Sequence, residues 1–67
     1  MNSAEARIYA ANALVLAART RVDAMIAENL VRASKGVASA YSEAQFFAEA
    51  ERIDAYASEI LTLAKGL

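Results

Sequence analysis

The fold is decided by AEARIYAANALVLAARTRV, Ala4 to Val22, read together with FFAEAERIDAYASEILTLAKGL, Phe46 to Leu67. Alanine returns every seventh residue in both stretches, at Ala4, Ala11 and Ala18 and again at Ala50, Ala57 and Ala64. Bulkier apolar residues keep the same heptad between them: Ile8, Val15 and Val22 in the first stretch, then Phe46, Ile53, Ile60 and Leu67 in the second. A repeat of this period places its residues along one side of a helix, and small residues on it let two helices approach closely. The expected fold is all-α, an antiparallel two-helix hairpin with an alanine-rich close-packed seam, completed to a four-helix bundle by a second copy or a partner.

The ends of the helices are marked locally. Asn2 or Ser3 can cap the first helix, and Asn2 with Glu5 has capping-box spacing. Gly36 supplies the left-handed residue that commonly ends a helix, with Lys35 beside it near the negative end of the dipole. Ser42 and Gln45 form a second capping box, flanked by Tyr41 and Phe46 at hydrophobic-staple positions, and Gly66 follows the last turn. These signals predict a single domain over 1–67, with a helix over 3–34, a turn over 35–41 and a helix over 42–65. A turn of that length makes the helices antiparallel.

With the loop centred near residue 37 or 38, facing residues have numbers that add to about 75, a register in which heptad meets heptad. Ile8 then meets Leu67, Ala11 meets Ala64, Val15 meets Ile60, Ala18 meets Ala57, Val22 meets Ile53 and Met25 meets Ala50. Asn29 opposite Phe46 is the one polar seam position. It reads either as a register-fixing polar residue or as a side chain solvated at the loop end, and its place near the loop favours the second.

Apolar residues also fall off the seam. Tyr9, Leu16 and Val31 lie round the back of the first helix, while Phe47 and Tyr56 flank the second stripe and Leu63 sits beside Tyr56. Two helices cannot cover them all, so Tyr9, Leu16, Phe47, Tyr56 and Leu63 are expected to form a face for another copy or a larger helical partner. Composition agrees. The chain is 58% hydrophobic, has no proline, cysteine or histidine, and at 67 residues gains little from its own core. Disulfides, zinc and most catalytic dyads are excluded, which leaves association as the source of extra stability.

Charge is divided unevenly. Residues 1–35 carry Arg7, Arg19, Arg21, Arg32 and Lys35 against three carboxylates, a surplus of two positive charges, within an overall formal charge of −1. Residues 36–67 carry Arg52 and Lys65 against Glu43, Glu49, Glu51, Asp54 and Glu59, a surplus of three negative charges. Opposite signs favour pairing of the two helices, or of one helix with that of another copy. Arg7, Arg19 and Arg21 are the residues that could meet phosphates or an acidic partner, but a nucleic-acid binder is more often basic overall. The acidic cluster Glu49, Glu51, Asp54 and Glu59 lacks metal-ligand spacing and reads as a solvated face. No nucleophile stands beside a base, and no glycine-rich phosphate loop is present. The expectation is a protein that is not an enzyme, with no cofactor and no metal.

The longest uncharged run, Ile8 to Ala18, is far shorter than the ~20 apolar residues of a membrane span. It could serve as a signal-peptide core behind Arg7, but Glu5 and the heptad running through it argue for a cytoplasmic protein.

Two family resemblances follow from these residues. The alanine heptad and the hairpin plan resemble the Rop family of plasmid proteins, and that resemblance would imply a homodimeric RNA-binding regulator. It is architectural and carries no RNA-contact residue onto this sequence. The stretch MIAENLVRASKG from Met25 to Gly36, the Gln45–Phe46 pair and the Glu59-Ile60-Leu61 ending resemble the small E-type co-chaperones of type III secretion. That resemblance implies a helical hairpin whose second helix, around Phe47 and Tyr56, docks on a larger helical partner.

Overall fold

A computed structural model describes residues 2–67 and contains two helices, α1 over Ser3–Ser34 and α2 over Glu43–Lys65, packed against each other as a hairpin. The all-α hairpin expected from the heptads is what forms. No helix among the described residues is long and apolar enough to cross a membrane.

Each helix end follows from its own residues. Asn2 stays extended, and its Oδ1 accepts the Glu5 backbone N–H at 2.8 Å, while its Nδ2 donates to Glu5 Oε1 at 2.8 Å. That satisfies one of the amides that a helix start leaves without an intrahelical acceptor. At the other end Gly36 takes φ 69°, which a side chain would strain, and donates to the Ala33 carbonyl at 3.0 Å. Val37 N–H reaches back to the Arg32 carbonyl at 2.9 Å, completing a Schellman motif. At the start of α2, Gln45 Oε1 accepts the Ser42 backbone N–H at 2.7 Å, the glutamine arm of the expected box.

Asn29 corrects the reading of a solvated side chain. It is half-buried, and its Oδ1 accepts the backbone N–H groups of Ala40 at 3.0 Å and Tyr41 at 3.1 Å. Its Nδ2 donates to the Tyr41 carbonyl at 3.0 Å. The connection therefore folds back alongside the last turns of α1, and residues 40–41 lie level with Asn29.

This clamp also corrects the register. The cross-helix ion pairs Arg21 with Glu49 and Arg7 with Glu59 have numbers adding to 70 and 66 rather than 75, and Asn29 with Tyr41 of the connection also adds to 70. At Arg21, α2 is displaced relative to the expected alignment by about five residues, or roughly 7 Å at the helical rise. The reason is the loop: it consumes its length along α1 instead of bulging symmetrically beyond it.

The seam of α1 runs as the heptad predicts. Ala11 (3% exposed), Ala18 (0%) and Met25 (7%) are the buried apolar residues, with Ile8, Val15 and Val22 half-buried beside them. The seam of α2 differs. Phe46, Ile53 and Ile60 are half-buried as expected, but Ala50, Ala57 and Ala64 are exposed, and Glu49, Tyr56 and Leu63 complete the stripe instead. Both sets fit a heptad with Phe46, Ile53 and Ile60, and the two solutions differ by a turn of about 50° about the α2 axis. The observed one buries the larger Tyr56 and Leu63 side chains in place of methyl groups, which removes more apolar area from water at about 25 cal/mol per Å². It also brings Glu49 to an arginine.

Candidate interaction surface

The hairpin measures 52 × 19 × 10 Å, so it is one helix thick and has two broad sides. Rotating 100° per residue from each observed seam assigns the side chains to them. On one side lie Arg7, Leu14, Arg21, Glu28 and Arg32 of α1 with Glu49, Arg52 and Glu59 of α2, and Leu14 is 47% exposed there. On the other lie Ile8, Val15, Val22, Ile26 and Leu30 of α1, with Asn12 and Arg19 among them, and Phe46, Ala50, Ile53, Ala57, Leu61 and Ala64 of α2, with Glu43 and Asp54 beside Leu61.

The first side is held by ion pairs. Glu49 is 7% exposed and sits between two arginines. Arg21 Nε lies 3.1 and 3.2 Å from its two carboxylate oxygens and Arg21 Nη2 lies 3.0 Å from Oε2, while Arg52 Nη1 donates to Oε1 at 2.7 Å. The hydrogen bonds from Arg21, with its charge and that of Arg52, hold the Glu49 carboxyl below the usual glutamate range against the opposing effect of burial. The Arg21 guanidinium is raised in turn, first by its hydrogen bond to Glu49. Arg7 Nη2 meets Glu59 Oε1 at 3.0 Å, and Arg32 Nε meets Glu28 Oε1 at 2.9 Å. A shallow groove of about 340 Å³ opens beside the central cluster, lined by Arg21, Met25, Tyr41, Glu49 and Arg52 among others.

These contacts revise the acidic cluster read as a solvated face. Glu51 and Asp54 are exposed, but Glu49 is buried and Glu59 half-buried, each paired with an arginine of α1. They also engage two of the three arginines read as phosphate contacts, Arg7 and Arg21. Arg19 alone of the three is in no ion pair among the described residues.

The second side is open and mostly apolar, with Arg19 and Asp54 exposed on it. Ile26, Leu30 and Leu61 are exposed, and the seam residues that reach this side remain only half-buried. Of the five residues expected on a partner face, Tyr9, Leu16 and Phe47 are exposed at its margins or behind it. Tyr56 and Leu63 are not available in that way, because the rotation of α2 turns them half-buried against α1. Ile26, Leu30 and Leu61 were the residues that sequence reasoning missed or left unassigned. Their signal was present: Leu61 extends the Ala50, Ala57 and Ala64 stripe of α2, and Ile26 and Leu30 lie beside Val22 on α1, each off the seam of its own helix.

Among the described residues no group of three or more acidic side chains is placed to hold a metal ion. Comparison with known proteins finds no matching family model, no matching curated protein and no matching solved structure.

Proposed function

We propose that this hairpin is an assembly module: it works by laying its apolar side against other helices and performs no chemistry of its own. The observation that carries this reading is the contrast between its sides. One side is crossed by ion pairs satisfied within the chain, with Leu14 exposed among them. The other carries exposed and half-buried apolar residues along both helices, interrupted by the exposed Arg19 and Asp54. Extended exposed patches of that kind mark interaction sites, because water contact with them is unfavourable. A domain also needs at least two packed layers to enclose a core, and this chain supplies one. Service as a small co-chaperone for a helical secretion protein is one specific form of the same reading. An RNA-binding role is weaker, since Arg7 and Arg21 would have to leave their glutamates to reach phosphates.

The test compares Ile26→Asp on the apolar side with Ala24→Asp on the other, using solution mass and binding of a hydrophobic dye. Either the wild type is larger than one chain, or it is a single chain that binds the dye, and only Ile26→Asp abolishes that property. A single folded chain that binds no dye and ignores Ile26→Asp would reject the reading.

A further inference from the structure

We infer that the occupant of the apolar side is a second copy of this chain, stacked face to face about a twofold axis parallel to the helices, so that α1 of each copy lies on α2 of the other. The inference rests on the assembly reading above and adds the identity and orientation of the partner.

Area favours a partner of this size. A compact 7.1 kDa protein exposes about 4,100 Å² by the usual scaling with mass, whereas this hairpin exposes 4846 Å². The surplus is roughly 700 Å², close to the ~800 Å² that each partner contributes to a standard stable interface. A second slab of the same 52 × 19 Å outline covers that side completely and makes the assembly two layers thick. The self-complementary surface needed for a twofold interface is present, because bulky residues of α1 (Ile26, Val22, Val15) would face the small Ala50 and Ala57 of the other copy's α2.

Charge selects the orientation. Counted over its own residues, α1 carries a surplus of one positive charge and α2 a surplus of three negative charges. A twofold axis across the helices would stack α2 on α2 and bring Asp54 towards its own copy. The axis along the helices instead stacks α1 on α2, and neighbouring helices are antiparallel in either case. It carries the intramolecular register over to the contact between copies, which sets Arg19 of one chain within about one helical turn of Asp54 of the other. Within a single hairpin both residues are exposed and, among the described residues, neither is ion-paired.

The experiment is a charge swap read by light scattering and sedimentation equilibrium over a concentration series. The wild type is expected at twice the chain mass. Arg19→Asp and Asp54→Arg should each weaken dimerisation about tenfold, and the double variant should restore it. Ala57→Glu, which places a charge inside the interface, should give a single chain that retains its helical circular dichroism. A wild type that stays a single chain at 0.1 mM or so overturns the second copy as occupant. If that single chain still binds the hydrophobic dye, the assembly reading survives with a different helical partner. A dimer that the double variant does not restore overturns the α1-on-α2 orientation.

Discussion

Two alanine stripes of equal period end in opposite environments. Ala11 and Ala18 are the most buried residues of α1, while Ala50, Ala57 and Ala64 face solvent on α2. What separates them is what stands next to each on the wheel. On α1 the neighbouring heptads are Arg7, Leu14, Arg21 and Glu28 on one flank and Glu5, Asn12, Arg19 and Ile26 on the other. Each holds one large apolar residue among charged or polar ones, so the alanines, with Ile8, Val15 and Val22, are the best seam available. On α2 the stripe shifted by one residue holds Glu49, Tyr56 and Leu63, and it wins because it offers both area and an ion pair to Arg21. A small-residue repeat marks where helices can approach closely; which neighbour makes the approach depends on the rest of the wheel.

The widest test of this comparison is to enlarge one alanine in each stripe. Ala18→Leu should cost ~1–3 kcal/mol of folding stability at any concentration, because there is no space for the added atoms at a site with no exposure. Ala57→Leu should leave the melting of dilute protein unchanged and alter only its concentration dependence. Equal losses in dilute protein would return Ala57 to the seam. Thermal melts followed by circular dichroism at two concentrations separate the outcomes.

A smaller effect sharpens the register on which the comparison depends. Asn29→Ala removes hydrogen bonds to Ala40 and Tyr41 and should cost about 1 kcal/mol, since water can reach the freed loop groups. Amide hydrogen exchange should quicken at Ala40 and Tyr41 before it quickens in either helix. Exchange unchanged at those two amides would show that the clamp does not hold the loop.

The smallest effect lies at low pH. Because the folded Glu49 carboxyl titrates below its ordinary value, its contribution is fully present above that value, near pH 4.3 or so. It is lost as pH falls from there through the depressed folded value. Glu49→Gln should therefore flatten the acid limb of the stability curve. An acid limb unchanged by the substitution would mean that Glu49 is solvated like Glu51.

The helices and their ends were legible because each signal was local: Asn2 with Glu5, Gly36 after Ser34, Ser42 with Gln45. The α1 seam was legible because each neighbouring heptad sets a single large apolar residue, Leu14 or Ile26, among charged or polar ones. The register was not, because it depends on where eight loop residues travel, and only the reach of Asn29 to a backbone eleven residues away decides that. Nor was the rotation of α2, since two stripes share Phe46, Ile53 and Ile60 and the choice between them rests on Arg21, a residue of the other helix. The open apolar side was anticipated as a need for cover, but its members shift with that rotation: Tyr56 and Leu63 leave it, and Leu61 joins it.

The connection between the helices is tied at both ends, and among the described residues no hydrogen bond is made by Ala38 or Ser39 between the ties. Val37 is held to Arg32 and Ala40 to Asn29, which leaves Ala38 and Ser39 as the stretch between the anchors. Residues added there lengthen a tether whose ends are already fixed, and doubling such a loop costs only about 0.6 kcal/mol. That short span is thus where the chain can take up an inserted peptide, or be opened to give new termini, without changing which side chains meet across the seam.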